Sequence, residues 1–172
     1  MPPDPAQRYG FRPVTTADLP IIAAWLAEPH LAAWWGDVDA EIAEIAAHIG
    51  SVSVAPFIIE LDGTPIGYLQ SYDPHREDGH PYQDQPLGTL GVDLSIGPPE
   101  RLGQGHGSAS LRQFVDELFE RGVRRVVIDP DPANARAIRA YEKAGFRPFD
   151  TRTTIYGTAL MMARDADQET AP

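Results

Sequence analysis

Strands and helices alternate in the second half of the chain, and this order constrains the fold more than any other feature of the sequence. Apolar residues recur at helical spacing in two segments, and short apolar runs typical of strands separate them. The predicted elements are a strand, a helix after a glycine-rich turn, a buried strand, a second helix and two closing strands (Thr89–Ile96, Ser108–Arg121, Val123–Asp129, Ala133–Ala144, Phe146–Asp150 and Thr158–Ala163). Strands joined through helices pair in parallel and hairpins pair antiparallel, so a mixed sheet is expected.

The first half adds a hairpin and three helical stretches. Asp62-Gly63 lies between two predicted strands and is a strong signal for a tight turn. The predicted elements begin with a strand (Phe11–Val14) and a helix capped by Thr16 and ended by Pro29. Two further helices (His30–Trp35 and about Asp39 to Ile49) and the two hairpin strands (Ala55–Leu61 and Pro65–Tyr72) follow. A long polar loop, 73–88, follows. The predicted fold class is α+β, a mixed central sheet with helices on both faces.

Length and composition fit one domain. A chain of 172 residues, 42% of them apolar, can bury one core but hardly two. We expect a single domain over 10–164, with flexible segments at 1–9 and 165–172. The sequence has no apolar stretch long enough to cross a bilayer, and its N-terminus lacks the basic start and apolar run of a secretory signal. A cytoplasmic location without a membrane partner is therefore expected.

The residue types exclude several kinds of site. The chain has no cysteine, which excludes disulfides, thiolate metal sites and a cysteine acyl-enzyme. An acyl group would thus pass directly between two bound substrates. Two histidines and four acids share the polar loop, but their spacing matches no standard ligand pattern, so a solvated loop is favoured and no metal site is predicted (His75, His80, Asp73, Glu77, Asp78 and Asp84).

The negative charge is distributed unevenly. The formal net charge is -11, yet residues 100–147 hold nine basic and seven acidic residues, which leaves five basic and eighteen acidic residues elsewhere. Such a surface repels phosphate backbones, so nucleic acid is not an expected partner. It would attract a cationic small molecule. Taken alone, the acidity is explained as well by solubility.

A glycine-rich turn, Leu102-Gly-Gln-Gly-His-Gly107, lies between a predicted strand and a predicted helix. Glycines at this place let backbone amides approach an anion, and the helix N-terminus adds partial positive charge. A pyrophosphate would suit it. The spacing matches neither the Walker loop nor the dinucleotide fingerprint, and a plain connector remains the alternative.

A second motif begins about thirty residues later, with Asp129-Pro-Asp-Pro-Ala-Asn134 and Tyr141-Glu-Lys-Ala-Gly-Phe146. Together, this motif and the glycine-rich turn resemble the GNAT superfamily of acetyltransferases. With Glu28–Gly36, Pro65–Tyr72 and Gly91-Val-Asp93, the chain is similar over nearly its whole length to aminoglycoside 6'-N-acetyltransferases. Acetyltransferases that act on hydroxylysine in siderophore synthesis share part of the pattern.

The resemblance implies a GNAT fold with acetyl-coenzyme A as co-substrate. It assigns the pyrophosphate to the glycine-rich turn and the helix start (Leu102, Gly103, Gln104, Gly105, His106, Gly107 and Ser108). The superfamily usually has Gln or Arg at Leu102, whereas the aminoglycoside group tolerates Leu. Asn134 and Ala137 would hold the pantetheine arm. Backbone amides of Leu94, Ser95 and Ile96 would polarise the thioester carbonyl.

Acetyl transfer to an amine needs a base and an acid, because a primary amine is mostly protonated at neutral pH and the leaving thiolate needs a proton. Asp93 is the candidate base, directly or through water, and Tyr141 is the candidate acid. The alternatives are that Asp93 only binds the cation and that Tyr141 is a core aromatic residue at helical spacing.

The amine pocket implied by the resemblance combines carboxylates with aromatic rings (Trp34, Trp35, Tyr72, Asp78, Asp93, Asp129 and Tyr156). One of the two tryptophans is expected to be core, and Asp129 could simply begin the turn at Pro130. Relatives often carry Trp-Trp just after the position of Asp78, where this chain has Gly79-His-Pro-Tyr82. Near the C-terminus they often carry Asp-Gly where this chain has Tyr156-Gly157. We therefore hypothesise weaker aminoglycoside binding and acceptance of flatter aromatic amines, which Tyr156→Asp would test.

The predicted function is therefore transfer of acetyl from acetyl-coenzyme A to a primary amine of a cationic small molecule, the 6'-amine of aminoglycosides, by a monomer or homodimer. One alternative is a siderophore-precursor acetyltransferase acting on hydroxylysine. A second is a non-catalytic module that binds acyl-coenzyme A.

Overall fold

The computed structural model describes residues 8–155 and 157–167, which form a seven-stranded sheet in the order β1-β2-β3-β4-β5-β7-β6. The strands are β1 (Tyr9–Pro13), β2 (Val54–Leu61), β3 (Thr64–Tyr72), β4 (Leu90–Ile96), β5 (Arg125–Ile128), β6 (Arg147–Thr154) and β7 (Gly157–Asp165). The α-helices are α1 (Leu19–Leu26), α2 (Pro29–Trp35), α3 (Val38–His48), α4 (His106–Glu120) and α5 (Ala135–Lys143).

The sheet is mixed, as predicted. Strands β1 to β4 pair antiparallel, β4 and β5 pair in parallel, and β5, β7 and β6 pair antiparallel again. The parallel pair follows from α4, which returns the chain so that β5 runs in the same direction as β4. At the hairpin between β2 and β3, Asp62 has a φ of 51° and Gly63 of 80°, the left-handed pair that a two-residue turn requires.

Helices cover both faces of the sheet. Ile58 and Ile59 are neighbours on β2 and are fully buried on opposite faces. Ile58 packs with α1, α2 and α3 in one apolar cluster, and Ile59 packs with α4 in the larger one. Tyr141 on α5 is packed against the larger cluster, so α4 and α5 share a face.

Strands β4 and β5 meet over a short distance only. Two residue pairs join them, Leu90 with Val126 and Gly91 with Val127. Within the part of the chain that the structure describes, the remainder of β4, from 92 to 96, has no strand partner on that side. The sheet therefore opens at its centre, next to the carboxyl end of β5.

Several predicted boundaries were wrong. Pro29 is the first residue of α2 rather than the end of α1, because proline fits the first turn, where its missing N–H is not needed. Thr15, rather than Thr16, precedes the first turn, and its amide and hydroxyl both donate to Asp18. The sheet begins at Tyr9 and ends at Asp165, so each end enters the expected flexible segment by one residue. None of the helices in the described ranges is both long and apolar enough to cross a membrane.

Candidate active site

Two aspartates lie side by side where the sheet opens. Gly91 on β4 is in register with Val127 on β5, so two residues further along each parallel strand Asp93 comes beside Asp129. Both side chains lie on the face covered by α1, α2 and α3, and both are partly buried. The charge of one carboxylate therefore influences the ionisation of the other.

Gln70 supports Asp93 from the neighbouring strand. Its Nε2 donates to Asp93 Oδ2 over 2.9 Å, and its Oε1 accepts from the Tyr68 hydroxyl over 2.7 Å. The Tyr68 bond fixes which end of the amide faces the carboxylate. Burial and the charge of Asp129 raise the pKa of Asp93 to about 7, although the Gln70 bond opposes this shift. A carboxylate with that pKa can accept a proton near neutral pH.

Tyr82 supports Asp129 from the long loop, 73–88. Its side chain is 1% exposed, and its hydroxyl donates to Asp129 Oδ2 over 2.5 Å. Burial raises the pKa of Asp129 and the Tyr82 bond opposes that shift. The phenol is in turn held protonated, because burial and the charge of Asp129 raise the pKa of Tyr82.

The loop that carries Tyr82 is tied down at both flanks. Arg152 on β6 makes two bonds to Asp84, of 2.9 and 2.6 Å, and its guanidinium lies over the Tyr82 ring. His75 Nε2 bonds to the Gln85 carbonyl over 2.9 Å, and Arg125 donates to the Gln85 side chain. The long polar loop is thus an ordered part of the site.

Tyr141 approaches the same two carboxylates from the other face of the sheet. Burial raises the pKa of its phenol, and the charges of Asp93 and Asp129 raise it further. The hydroxyl is therefore protonated at neutral pH, as a general acid must be before it acts. Its ring also packs against the main core, so the structural role that the sequence suggested and the position near the carboxylates coexist.

Further acidic residues surround the pair. The charges of Glu41 on α3 and Glu77 in the loop both raise the pKa of Asp93. Asp78 is exposed on the same loop, and Glu77, its neighbour, contributes to the field at Asp93. The sequence pointed to Asp78 and missed Glu41 and Glu77.

The structure separates the roles of the aromatic candidates. Trp35 packs edge-on against Tyr68, with ring centroids 6.1 Å apart, and belongs to the core beneath α2. Trp34 is 45% exposed and offers its ring to a ligand. Tyr72 is buried, and its ring occupies the space above Gly91, where a Cβ atom would lie 2.1 Å from the ring. Tyr156 lies outside the described residues.

The glycine-rich turn presents a row of backbone amides. Gly103 and Gly105 have φ values of 72° and 83°, and no atom lies within 4 Å of a Cβ built on Gly103. Such left-handed turns direct successive amides to one side. Among described residues, the amides from 103 to 108 have no backbone or side-chain acceptor, since the first internal bond of α4 runs from Ala109 to the Gly105 carbonyl. The turn and the start of α4 thus present backbone amides that are available to an anion.

Side chains in the turn stabilise it rather than face outward. His106 is 5% exposed, and its ring nitrogens bond to the Tyr9 hydroxyl over 2.9 Å and to Gln104 Oε1 over 3.1 Å. Gln104 also donates to the Glu100 carbonyl. Leu102 packs against the main core. Of these residues, only the backbone amides can therefore bind an anion. The Ser108 hydroxyl is also occupied, because it donates to the Gly105 carbonyl.

Asn134 caps α5 with its side-chain oxygen, so only part of its side-chain amide remains available to a ligand. Its Oδ1 accepts from the Ala137 amide over 3.2 Å, so that amide is already paired within the helix start. The two N–H groups of the Asn134 side chain make no bond among the described contacts. Asn134 can thus still donate to a ligand, whereas Ala137 contributes through contact only.

The open edge of β4 exposes alternate amides. The Gly97 amide bonds to the Ile66 carbonyl, so the antiparallel ladder directs Ser95 and Asp93 toward β3 and turns Leu94 and Ile96 toward the opening. The Ile96 carbonyl is occupied by His30 Nε2 at 2.9 Å. Of the three residues predicted to supply amides, Leu94 and Ile96 can do so and Ser95 cannot.

Sequence reasoning missed Gln70, Tyr68 and Tyr82. The first two alternate with Tyr72 on one face of a strand, and period-two spacing could have found them. No comparable signal marks Tyr82, whose position depends on the folding of the loop. In the described ranges, no group of three or more His, Asp or Glu residues could hold a metal ion.

Comparison with known proteins identifies the family. Residues 14–154 match the Acetyltransferase (GNAT) domain family. The aminoglycoside N(6')-acetyltransferase type 1 of Klebsiella pneumoniae is 36% identical over 163 residues, which cover 90% of this chain and 81% of that protein. The lysine N-acyltransferase MbtK of Mycobacterium tuberculosis is 31% identical over 174 residues, covering 96% and 82% respectively.

A solved structure shows the same architecture. The structure of AAC(6')-Ib in complex with paromomycin and acetyl-coenzyme A has a TM-score of 0.82 and 35% identity to this chain, and covers 91% of this chain and 93% of the other. The mixed sheet that opens between β4 and β5 is thus the arrangement of a protein that binds acetyl-coenzyme A and an aminoglycoside together.

Proposed function

The chain belongs to the GNAT acetyltransferase family, and on that premise we propose that it transfers acetyl from acetyl-coenzyme A to the 6'-amine of aminoglycosides. The protein is an N-acetyltransferase, and its co-substrate is acetyl-coenzyme A. The partly buried pair of Asp93 and Asp129, at the opening of the sheet and with Glu41 and Glu77 nearby, supports a cationic amine as the acceptor.

The coenzyme would occupy the opening between β4 and β5. Its pyrophosphate fits the amides from 103 to 108, which combine a left-handed turn with the N-terminus of α4. The side-chain N–H groups of Asn134 would hold the pantetheine arm. The amides of Leu94 and Ile96 would stabilise charge that develops on the thioester oxygen.

Two side chains, Asp93 and Tyr141, accept and donate the protons of the reaction. Asp93 accepts a proton from the substrate ammonium, and the neutral amine then attacks the thioester carbon. The carbon–sulfur bond breaks as Tyr141 donates its proton to the departing sulfur, and the second proton that the nitrogen loses as the amide forms returns to the Tyr141 oxygen. A pKa of about 7 suits Asp93 to this role, and the raised pKa of Tyr141 keeps the proton in place until the sulfur needs it.

The surroundings favour a polycation over a simple amine. Glu41 and Glu77 add negative charge close to Asp93, and Trp34 exposes an aromatic face for a sugar ring or a cation. A ligand with several ammonium groups could neutralise these carboxylates together. A single primary amine would leave most of them unpaired.

A second candidate acceptor is the side-chain amine or hydroxylamine of a lysine derivative. The similarity to MbtK over 96% of the chain supports it. The two candidates differ in charge, because hydroxylysine presents one reactive group where an aminoglycoside presents several cations. Their relative turnover therefore distinguishes them.

The test is release of free thiol from acetyl-coenzyme A in the presence of kanamycin-type aminoglycosides, spermidine, hydroxylysine and a piperazine-bearing aromatic amine. We expect turnover with aminoglycosides that carry a free 6'-amine, and a loss of about 100-fold or more in kcat for Tyr141→Phe and for Asp93→Asn. Glu120→Gln removes an exposed charge at the far end of α4, outside the pocket, and serves as control. Preferred turnover of hydroxylysine would establish the second candidate, and no turnover of any amine would contradict both.

The remaining proposals concern the cellular setting. We propose a cytoplasmic location, where acetyl-coenzyme A is made and used. We also propose that the protein acts as a monomer or homodimer.

A further inference from the structure

The two partly buried carboxylates receive different hydrogen-bond donors from different parts of the chain. Asp129 accepts from a phenol, Tyr82, which the long loop carries. Asp93 accepts from an amide, Gln70, whose orientation is fixed by the Tyr68 hydroxyl. Each donor bonds to one carboxylate. Among the described bonds, neither donor also reaches the other carboxylate.

We propose that Tyr82 and Gln70 are positioning residues that divide two adjacent carboxylates into an anchor and a base. Tyr82 holds Asp129 as the anion that binds the substrate cation. Gln70 holds one oxygen of Asp93 and leaves the other oxygen to take the amine proton. This inference rests on the proposed function, since it assigns how that same site separates its two tasks.

The phenol and the amide stabilise charge to different extents. A bond from a phenol to a carboxylate is short and strong, and Tyr82 has no other acceptor among the described bonds. The Gln70 amide is a weaker donor. Asp129 therefore loses its proton first, and Asp93 has to ionise beside a negative charge. In addition to burial, this charge raises the pKa of Asp93.

Groups from every neighbouring element face the pair, and any test must allow for them. Tyr68, Gln70 and Tyr72 come from β3, Glu41 from α3, Glu77 and Tyr82 from the long loop, and Tyr141 from α5. The acids disfavour ionisation of Asp93 and the tyrosines stay neutral. Of these groups, Gln70 and Tyr82 alone donate a described bond to either carboxylate.

Removal of the two donors should shift the titration of Asp93 in opposite directions. In Tyr82→Phe, Asp129 loses the donor to its ionised form and holds its proton longer, so Asp93 ionises at lower pH. In Gln70→Leu, Asp93 loses its own donor and ionises at higher pH. Tyr68→Phe frees the Gln70 amide to turn and should raise the midpoint by less. It retains an aromatic ring in the core, so it tests the proposal even if Gln70→Leu does not fold.

The experiment follows the carboxyl ¹³C signals of labelled aspartates against pH, assigned with Asp93→Asn and Asp129→Asn. We expect the Asp93 midpoint to fall by about one pH unit in Tyr82→Phe and to rise by about one in Gln70→Leu. The acid limb of kcat should move in the same directions. The KM of the polycation should rise in Tyr82→Phe, because Asp129 is less often charged.

Gln83→Ala is the matched control, because Gln83 only ties the long loop to the Pro74 and Glu77 carbonyls. It should leave the Asp93 midpoint unchanged. Midpoints that stay fixed in the donor variants, or that move in one common direction, would overturn the proposal. The NMR titration needs no substrate, so a failure of aminoglycoside turnover and a failure of this inference are seen separately.

Discussion

Asp93 illustrates, at the scale of one residue, how a functional group can oppose the stability of its own fold. An aspartate in an unfolded chain ionises near pH 4, whereas burial beside Asp129 raises the folded-state pKa of Asp93 to about 7. Between these values the folded protein binds more protons than the unfolded chain. Its free energy of unfolding therefore falls as the pH rises through this range.

The variant Asp93→Asn should accordingly be more stable than the natural protein above about pH 7, by up to roughly 4 kcal/mol, and the difference should shrink toward about pH 4. The amide resembles the protonated acid and can still accept from Gln70. Urea unfolding at a series of pH values measures the difference. Asp78→Asn controls for the loss of one charge, and a stability difference for Asp93→Asn that is constant with pH would contradict the argument.

Sequence information reached some of these residues and not others, for physical reasons. Asp93 and Asp129 lie in motifs with recognisable neighbours, so the resemblance located both. Trp34 and Trp35 could be recognised as a pair, but which ring is buried depends on how α2 packs against Tyr68. Tyr82 could not be found, because its contact with Asp129 joins positions 47 apart through an irregular loop.

At the scale of elements, the start of α4 shows how backbone conformation alone creates a binding site. Gly103→Ala should raise the KM of acetyl-coenzyme A about tenfold and leave the KM of the amine nearly unchanged. The new Cβ has no clash within the protein, but at a φ of 72° it strains the turn by about 1 kcal/mol and projects toward the amide row. Initial rates at varied coenzyme concentration measure the effect.

Gly122→Ala is the matched control for this substitution. Gly122 follows the other end of α4 with a φ of 98°, and its Cβ position is also free of contacts. The backbone cost is therefore similar, whereas the distance from the amide row differs. Equal changes in the coenzyme KM for the two variants would show that general destabilisation, and no anion site, explains the result.

Most elements were predictable because their apolar periodicity is strong, and the errors have local causes. Pro29 was taken as a stop, yet proline is also favoured in a first helical turn, and sequence alone does not separate the two. The loop 73–88 lacks periodicity, so its order was not foreseen. That order comes from Arg152 and Arg125, which lie far along the chain.

At the scale of the whole molecule, charge separation should influence how the two substrates arrive. Five basic and eighteen acidic residues lie outside 100–147, so most of the surface attracts cations, while the segment that contains the amide row is slightly basic. We expect kcat/KM for a polycationic aminoglycoside to fall about tenfold between low and about 0.5 M salt.

Steady-state rates across a salt series check this expectation. A monocationic acceptor provides the comparison, because its attraction to the acidic surface is weaker. A salt dependence equal for both acceptors would indicate that salt acts on the coenzyme or on the protein as a whole. Coenzyme KM measured over the same series separates these two explanations.

The short contact between β4 and β5 also has a mechanical consequence. Two residue pairs hold together what are otherwise two half-sheets, β1 to β4 on one side and β5 to β7 on the other. A molecule that fills the opening contacts both halves and completes the sheet much as an extra strand would. If the coenzyme occupies this opening as proposed, it would be a structural member as well as a reactant, and we expect the resistance of this protein to heating to rise with the coenzyme concentration.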